Sequence, residues 1–368
     1  MRILILGFTK MKFMPYINFY LPNIDTHNND VHVIYWNRDL QDEDLSKYNE
    51  LTLHEFRLYQ EDDVAKLSKI QSFIKYRQFV NHVMETYDFD KYIILHTLPG
   101  ILLFDKFKTF SRKFILDYRD STYEGFPPFK HMVGKLVEWS EATFVSSDAF
   151  RRYLPEEHSG KIYTSHNILE DSLSHQEDKE QFGIPSDKVR LAFWGFIRHE
   201  EINRQIIKVL ANDDRFEVHY YGREQKVALS LKEYVKELNA DNVFFHGEYK
   251  PEDRYKFILQ TDCIHNLYYD KNTLLAMGNK YYDGIIFRIP QVCMSGSFMG
   301  KMCIDHKVGI ELDPYKSSFA NRLYDYIKGI NDASFRNNCN SEVRRILQEQ
   351  YNSTQVIVNI FASTSCRK

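Results

Sequence analysis

Short apolar runs alternate with helical patterns twice along the chain, and this alternation constrains the fold more than any other feature of the sequence. The first series covers residues 1–168 and the second covers residues 189–335. Strands that alternate with helices form parallel sheets with helices on both faces. The sequence therefore predicts an α/β protein with two doubly wound, Rossmann-like domains.

The apolar runs have the length of buried strands. In the first half they are Ile3–Leu6, Val31–Tyr35, Tyr92–Leu95, Phe114–Leu116, Thr143–Val145 and Lys161–Thr164. In the second half they are Arg190–Phe193, Phe216–Tyr220, Val243–Phe245, Cys263–Asn266, Gln291–Met294 and Val308–Glu311. The helical patterns between them include Val64–Tyr87, Phe129–Ala142, Asn203–Ala211, Val227–Leu238 and Pro251–Gln260.

The polar segment 169–188 separates the two series and ends in Gly-Ile-Pro, which predicts a linker between domains. Residues 336–368 follow the second series and predict terminal helices that pack back on the N-terminal domain. We expect two such domains to face each other across a cleft. Ligands of open α/β sheets bind beyond the carboxyl ends of the strands, so we sought functional residues directly after each run.

Charge and cysteine content exclude several classes of protein. The net charge of −3 provides no basic field for nucleic acid. The number of cysteines is odd and no C-x-x-C motif occurs, which predicts buried thiols in a reducing compartment. These cysteines are Cys263, Cys293, Cys303, Cys339 and Cys366. No apolar run reaches the ~18 residues of a transmembrane helix, and the first residues predict a strand rather than a signal peptide.

Cofactor and metal motifs are absent. The first strand is followed by GFTKMKF, which lacks the G-x-G-x-x-G of dinucleotide-binding proteins. Asp88 and Asp90 form the Asp-x-Asp pair that some sugar transferases use to hold a cation, but they precede a strand, so we predict a solvated loop. We therefore expect no cofactor and no metal.

The stretch GNKYYDGIIFRIP (278–290) carries the clearest chemical signal. A helix that starts near Asn279 places Lys280 in its first turn, where the macrodipole disfavours a cation. A bound phosphate reverses that preference, and Gly278 provides a flexible entry to the helix. Asp283 lies one turn later and has the geometry to accept hydrogen bonds from both hydroxyls of a ribose. These residues predict a nucleoside-diphosphate site; the alternative is an amphipathic helix capped by Asn279, with an internal Lys280–Asp283 pair.

The same stretch resembles the signature of retaining GT-B glycosyltransferases of the family 4 (group 1) type. AFWGFIRHEEINRQIIKVL, HYYGRE and NVFFHGEYKPEDRYKFILQTDC resemble, in order, other segments of the donor domain of that family. FILDYRDSTYEG, ATFVSSDAFRRYL and KIYTSHNI resemble the acceptor domain of capsule and O-antigen transferases. The ordered set covers most of the chain, and it implies an N-terminal acceptor domain and a C-terminal nucleotide-sugar domain.

The resemblance also implies which residues bind the donor. They are Gly195, Arg198, Arg204, Gly278, Asn279, Lys280 and Asp283. Among them, Arg198 and Lys280 stabilise the departing diphosphate. The family has a pair of glutamates seven residues apart; Asp283 takes the second position, and Leu275 stands at the first. Glu201 stands near the position of the family's lysine, for which Arg204 can substitute.

Residues that follow strands of the first half are expected to meet the acceptor. They are Gly7, Lys10, His96, Asp117, Arg119 and Asp120. Asp120 is expected to orient the acceptor hydroxyl or to assist as a base, and is the third catalytic candidate. Arg119 binds a phosphate of the acceptor or forms an internal ion pair with an aspartate. A lone histidine such as His96 is more often structural than catalytic.

The implied activity is the transfer of a sugar from a nucleoside-diphosphate-sugar to a lipid-linked glycan, with retention of configuration, during assembly of a bacterial surface polysaccharide. We expect a cytoplasmic protein at the inner face of the membrane. The stretches 102–114 and 126–136 interleave phenylalanine with basic residues and either contact anionic lipid or form ordinary surface helices. A nucleotide-sugar epimerase of the same fold and a non-catalytic partner subunit are the alternatives.

Overall fold

The structure is a computed structural model that describes residues 1–61 and 69–362. The chain forms two units. Unit 1 comprises Met1–His166 together with the chain from Gln348 onward, and unit 2 comprises Asn167–Leu347. Each unit contains one parallel sheet and its helices, so the predicted class of two doubly wound α/β domains is confirmed.

The sheet of unit 1 has seven parallel strands in the order β3-β2-β1-β4-β5-β6-β7. They are β1 (Arg2–Leu6), β2 (Asp30–Asn37), β3 (Thr52–Arg57), β4 (Lys91–Leu95), β5 (Phe114–Tyr118), β6 (Ala142–Val145) and β7 (Ile162–Thr164). The helices are α1 (Ile70–Thr86), α2 (Thr97–Leu102), α3 (Phe104–Thr109) and α4 (Pro127–Trp139). From β1 the chain continues to β2 and β3 at one edge of the sheet, and it then crosses back to β4 on the other side of β1. This reversal places a topological switch point between β1 and β4.

Strand β3 is absent from the sequence prediction. It pairs with β2 at the edge of the sheet, and among its residues only Phe56 is buried. An edge strand that is half exposed has no continuous apolar run, so the signal used for the other strands does not detect it. The predicted helix Val64–Tyr87 is observed as α1, and its residues 64–68 lie outside the described residues.

The stretch 102–114 lies at the surface of unit 1 and packs some of its phenylalanines inward. Phe107 and Phe114 are buried, and the ring centroid of Phe104 lies 4.9 Å from that of Trp139. This packing is that of a surface helix with a buried face, and contact of this stretch with lipid stays a prediction.

The sheet of unit 2 has six parallel strands in the order β10-β9-β8-β11-β12-β13. They are β8 (Val189–Trp194), β9 (Phe216–Tyr221), β10 (Val243–Phe245), β11 (Cys263–Asn266), β12 (Gln291–Met294) and β13 (Gly309–Leu312). The helices are α5 (Asp178–Phe182), α6 (Glu200–Leu210), α7 (Lys226–Glu237), α8 (Arg254–Ile258), α9 (Asn279–Ile286), α10 (Phe298–Asp305) and α11 (Phe319–Lys328). The equivalent switch point lies between β8 and β11.

The segment predicted as a linker is structured and belongs to unit 2. It contains a 3-10 turn over Glu170–His175 and helix α5. Arg288 donates from Nη1 to Glu177 at 2.8 Å, and Arg254 donates from Nη2 to the Ser172 hydroxyl at 2.7 Å. These long-range bonds hold the segment to the unit, and its polar composition reflects a surface position.

One helix of 31 residues, α12 (Asp332–Ala362), replaces the several terminal helices that the sequence predicts. Its first part contributes Phe335 and Ile346 to a core of unit 2. Its last part contributes Ile357 and Phe361 to the core of unit 1. Among the helices of the described residues, none combines the length and the hydrophobicity that crossing a bilayer requires.

Four of the five cysteines lie among the described residues. Cys263, Cys293, Cys303 and Cys339 are buried as free thiols, and the two sulfur atoms of Cys293 and Cys303 are 3.5 Å apart. Burial raises the pKa of the Cys263 and Cys303 thiols well above the usual value. Cys366 lies outside the described residues.

Candidate functional site

The loop after β8 and the loop after β9 lie very close to each other. Each begins with a glycine, Gly195 and Gly222. Gly195 has a φ of 119°, and its N–H donates to the Tyr221 carbonyl at 3.0 Å. A Cβ on Gly222 would lie 1.8 Å from the Gly195 carbonyl oxygen. Side chains are therefore excluded from this part of the carboxyl edge of the unit 2 sheet.

Asn203, on α6, fixes the rest of this loop. Its side-chain amide donates to the carbonyls of Arg198 and His199 at 2.8 and 3.0 Å. Its side-chain oxygen lies 3.1 Å from the Tyr220 hydroxyl and 3.1 Å from His265 Nε2. A buried network in which each polar group has a partner makes the loop rigid.

His265 in this network is neutral. The Leu267 N–H donates to its Nδ1 at 3.0 Å, so the ring proton resides on Nε2 and donates to Asn203. Burial, followed by the charges of Lys280 and His199, lowers the pKa of His265 to about 3. The imidazole thus acts as a fixed hydrogen-bond donor behind the loop.

Lys280 lies in the first turn of α9, which begins at Asn279 as the sequence predicts. Its ammonium lies 4.5 Å from the ring centroid of Phe193 and 5.3 Å from that of Tyr268. Within residues 1–61 and 69–362, no carboxylate lies at ion-pairing distance from this ammonium. The cap residue is Gly278 rather than Asn279, which is exposed, and no side chain caps the helix.

Asp283 does not pair with Lys280, so the alternative of an internal Lys280–Asp283 pair is wrong. The carboxylate accepts from Trp194 Nε1 at 2.9 Å and lies 3.8 Å from Arg254 Nη1. Burial raises the pKa of Asp283, against the opposing effects of Arg254 and Trp194. The residue is only 3% exposed. Direct contact between Asp283 and a ribose stays a prediction, since the side chain is buried in the structure.

The two arginines predicted to bind the donor differ in position. Arg198 is exposed on the loop after β8, and among the described residues no carboxylate lies at ion-pairing distance from it. Arg204 donates to Glu200 at 2.9 Å and to the Ser230 hydroxyl at 2.7 Å. Its guanidinium carbon also lies 4.6 Å from the centroid of the Tyr234 ring. These contacts with Glu200 on α6 and with Ser230 and Tyr234 on α7 hold the guanidinium, and binding of the donor by Arg204 stays a prediction.

Asp117 and Arg119, at the end of β5, form a buried pair. The guanidinium Nε lies 2.8 and 3.0 Å from the two carboxylate oxygens, and the guanidinium carbon lies 4.7 Å from the centroid of the Tyr16 ring. Burial raises the pKa of Asp117 although Arg119 opposes the shift. The structure thus contains the internal ion pair that the sequence offers as the alternative for Arg119, and binding of the acceptor by these two side chains stays a prediction.

Gly7 and Lys10 are also structural. A Cβ on Gly7 would lie 2.5 Å from Met14 Sδ and 2.8 Å from the Ile34 carbonyl, so the position is packed rather than open. The Lys10 ammonium bonds to Asp39 and, at 2.6 Å, to a backbone carbonyl, and the residue is 2% exposed. These contacts give both residues a structural role, and their contact with an acceptor stays a prediction.

His96 and Asp120 remain at the carboxyl edge of the unit 1 sheet. His96 Nε2 lies 3.8 Å from Asp120 Oδ2, and the aspartate side chain is 47% exposed. His96 has a φ of 76°, and its N–H donates to the Asp117 carbonyl at 3.0 Å. Burial lowers the pKa of His96, which favours the neutral imidazole. An imidazole beside a carboxylate is suited to orient a hydroxyl and accept its proton.

Sequence reasoning missed the residues that shape the unit 2 edge. Asn203 stands at a buried position of an amphipathic helix, and His265 interrupts an apolar strand. A polar residue at a core position is the signal that could have identified both. Tyr268 and Phe193, which flank Lys280, look like ordinary core residues in the sequence. Within the described ranges, no group of three or more His, Cys, Asp or Glu residues is arranged to hold a metal ion.

Comparison with known proteins gives a match in structure and none in sequence. No family model and no curated protein matches the chain. Sucrose-phosphate synthase (tll1590) from Thermosynechococcus elongatus is 11% identical, with 98% of this chain and 99% of that chain covered and a TM-score of 0.72. WaaG, a glycosyltransferase involved in lipopolysaccharide biosynthesis, is 10% identical over 97% and 99%, with a TM-score of 0.63. Anabaena Alr3699/HepE in complex with UDP and glucose is 13% identical over 99% and 98%, with a TM-score of 0.58.

The shared fold is that of solved glycosyltransferases, and it also occurs in enzymes that do not transfer a sugar. UDP-GlcNAc 2-epimerase from Neisseria meningitidis, bound to UDP-GlcNAc, is 13% identical over 95% of this chain and 100% of that chain, with a TM-score of 0.55. Likeness at this level of identity establishes the fold, and the reaction must be argued from the residues.

Proposed function

We propose that the protein is a glycosyltransferase that moves a sugar from a nucleoside-diphosphate-sugar to a glycan acceptor. The observation that carries the proposal is Lys280. It is a cation in the first turn of α9, at the carboxyl edge of the sheet, with no carboxylate at ion-pairing distance among the described residues. A helix N-terminus with an uncompensated lysine has its charge balanced when it binds an anionic phosphate.

Arg198 and Lys280 stabilise the departing diphosphate in this proposal. Hydrogen-bond donors and cations that are fixed before the reaction stabilise developing charge without reorganising. The Asn203 clamp on the loop after β8 and the rings of Phe193 and Tyr268 around Lys280 provide that fixation. The reaction retains configuration, because the acceptor attacks from the face on which the diphosphate departs and a diphosphate oxygen takes its proton.

The acceptor hydroxyl is oriented by Asp120 with His96 beside it. Of the six predicted acceptor residues, these two lie together at the carboxyl edge of the unit 1 sheet, with His96 Nε2 3.8 Å from Asp120 Oδ2, whereas Asp117, Arg119 and Lys10 take part in buried ion pairs. The acceptor is a lipid-linked glycan, and the pathway is assembly of a bacterial surface polysaccharide. The resemblance of the motifs to capsule and O-antigen transferases supports both assignments.

The protein acts in the cytoplasm at the inner face of the membrane, and unit 1 carries the contact. Phe126 is 62% exposed at the start of α4, and the exposed basic residues Lys130 and His131 follow within the first two turns. An exposed ring beside cations is the pattern by which peripheral proteins contact anionic lipid. This tip replaces the stretch 102–114 as the candidate membrane contact.

Thermal unfolding with and without UDP, GDP, ADP and CMP tests the proposal. A ligand at 100 times its dissociation constant stabilises the folded state by about 2.7 kcal/mol. We expect one nucleoside diphosphate to raise the Tm of the wild type and to have much less effect on Lys280→Met. An absence of any shift would contradict the donor site and favour the non-catalytic partner subunit.

A second assay separates transfer from epimerisation. The purified protein is incubated with the nucleotide sugar that binds, with and without a glycolipid acceptor extract. A transferase releases the nucleoside diphosphate only when the acceptor is present. An epimerase converts the sugar without an acceptor, and that result would replace the proposed reaction.

A further inference from the structure

A small pocket opens beside the donor site within unit 2. It has a volume of about 210 Å³ and lies between the first turn of α6, the loop after β11 and the loop after β13. Its lining includes His199, Glu201, Tyr269, Asp270 and Tyr315. Cavities that hold whole drug-sized ligands measure about 300–1,000 Å³, so this pocket suits one part of a nucleotide sugar.

Tyr268 connects the pocket to Lys280. The Tyr268 ring centroid lies 5.3 Å from the Lys280 ammonium. It also lies 5.8 Å from the ring centroid of His199, which lines the pocket. Because the Tyr268 ring lies near both Lys280 and His199 of the pocket lining, a ligand whose phosphate meets Lys280 can extend its next group toward the pocket.

The walls of the pocket are held by hydrogen bonds. Asp270 accepts from the Thr273 N–H at 2.9 Å and from the Thr273 hydroxyl at 2.7 Å. Gln205 donates to the Pro314 carbonyl at 2.9 Å, which ties the loop after β13 to α6. His199 has a φ of 61°, a left-handed conformation that is strained for a residue with a side chain, and the Asn203 amide bonds to its carbonyl at 3.0 Å.

The pocket presents acceptors and negative charge. Burial raises the pKa of Asp270, but the hydrogen bonds from Thr273 and the charge of His199 outweigh it, so the pKa lies below its usual value and the side chain is ionised. Glu201 is exposed and accepts from the Tyr315 hydroxyl at 3.2 Å. Partial burial, followed by the charge of Arg198, lowers the pKa of His199, so the imidazole does not neutralise the two carboxylates near pH 7.

Two exposed aromatic rings form the rest of the surface. Tyr269 is 65% exposed and Tyr315 is 46% exposed, and their ring centroids are 6.4 Å apart. Amphipathic rings of this kind offer apolar contact together with a hydroxyl. A sugar ring has apolar C–H faces and hydroxyl donors on its edge, and it therefore matches both the rings and the carboxylates.

We infer that this pocket binds the sugar of the donor and accepts neutral or amino sugars while it rejects uronic acids. The hydroxyls or an ammonium group of the sugar donate to Asp270 and Glu201, and such charge-assisted hydrogen bonds are strong. A carboxylate on the sugar meets like charge at the same positions, and repulsion is an effective source of specificity. This inference rests on the proposed function, because it needs the diphosphate at Lys280.

Calorimetric titration of the full-length protein tests the inference in two stages. UDP, GDP and ADP first identify the nucleotide. Its neutral sugar and its uronic acid are then compared: UDP-glucose with UDP-glucuronate, or GDP-mannose with GDP-mannuronate. We expect the uronic acid form to bind at least about tenfold more weakly than the neutral form and more weakly than the bare nucleotide.

Charge-neutral variants of the pocket sharpen the test. Asp270→Asn combined with Glu201→Gln should bring the affinities for the two sugars within about threefold while the affinity for the bare nucleotide stays the same. Glu233→Gln, which removes an exposed carboxylate from α7, is the matched control and should retain the wild-type discrimination.

The possible results separate the inference from the proposed function. Equal binding of the neutral and acidic sugars by the wild type, or unchanged discrimination in the double variant, overturns the pocket assignment and leaves the donor site intact. Failure of every nucleotide to bind overturns both. A circular dichroism spectrum of each variant identifies a loss of folding, and the single variants Asp270→Asn and Glu201→Gln, each of which removes one negative charge, replace the double variant if that one unfolds.

Discussion

The carboxyl edges of the two sheets have the same architecture, but their cations differ in whether they form ion pairs. In unit 1 the chain crosses between β1 and β4, and the charges near that edge are neutralised internally by Asp117 with Arg119 and by Lys10 with Asp39. In unit 2 the chain crosses between β8 and β11, and among the described residues Arg198 and Lys280 have no carboxylate at ion-pairing distance. Two sheets of the same topology can therefore differ in whether the cations at their carboxyl edge are paired internally or remain available to an anion.

The internal pair of unit 1 should produce the largest effect when it is broken. Arg119→Leu leaves Asp117 buried without its cation, and breaking one partner of a buried pair costs about 3–5 kcal/mol. We expect a loss of that size in the free energy of unfolding of unit 1, measured by urea denaturation. The double variant Asp117→Asn with Arg119→Leu should recover part of the loss. A change below about 1 kcal/mol in Arg119→Leu would mean that the guanidinium is available to a ligand.

The uncompensated lysine of unit 2 should behave in the opposite way. Lys280→Met removes a cation that makes no ion pair in the described residues, so stability should stay nearly constant. The affinity for the nucleoside diphosphate should fall by about 10- to 100-fold, because a hydrogen bond to a charged group contributes about 1.5–3 kcal/mol. Calorimetric titration measures this, and Lys236→Met on the exposed side of α7 is the matched control. If Lys280→Met lost much stability and bound the nucleoside diphosphate as the wild type does, Lys280 would be a structural residue like the ion-paired residues of unit 1.

His265 should make the unit 2 edge sensitive to acid. Its pKa is about 3 in the fold against 6.5 in an unfolded chain, so the unfolded state binds the proton first as the pH falls. Its contribution to stability is complete above pH 6.5 and is lost toward pH 3, at about 1.4 kcal/mol per pH unit. Urea unfolding between pH 7.5 and 4.5 should show a shallower loss for His265→Gln than for the wild type.

The control for this pH experiment is His27→Gln, at an exposed position of unit 1. It should show the wild-type dependence on pH. Identical slopes for His265→Gln and the wild type would mean that the buried network around Asn203 does not depend on a neutral imidazole.

The smallest effect concerns the exposed tip of unit 1. Phe126→Ser should weaken binding to vesicles of phosphatidylglycerol by about fivefold, since only part of one ring enters the lipid. Co-sedimentation measures the bound fraction, and vesicles of phosphatidylcholine should bind neither protein. Tyr351→Ser, at an exposed position of α12, is the control for loss of an aromatic surface. Equal binding of Phe126→Ser and the wild type would remove this tip as the membrane contact.

Sequence and structure agree best where the signal is local. The apolar runs of β1, β4, β8 and β11 mark buried parallel strands, and Lys280 occupies the first turn of a helix that begins where its entry residues predict. They disagree where the partner is distant in sequence. Asp283 is three residues from Lys280, yet it bonds to Trp194, which is 89 residues away.

Hydrophobic period and helix-start chemistry are properties of neighbouring residues, so the two doubly wound units, most of their strands and the stretch that contains the candidate donor site can be predicted from the sequence. Which charged side chains remain available depends on packing between residues that are distant in sequence. Burial makes an unpaired charge costly, so Asp117, Arg119, Lys10 and Asp283 take partners supplied by packing. Lys280 and Arg198 lie at the surface of the edge, where water can solvate them until a ligand replaces it.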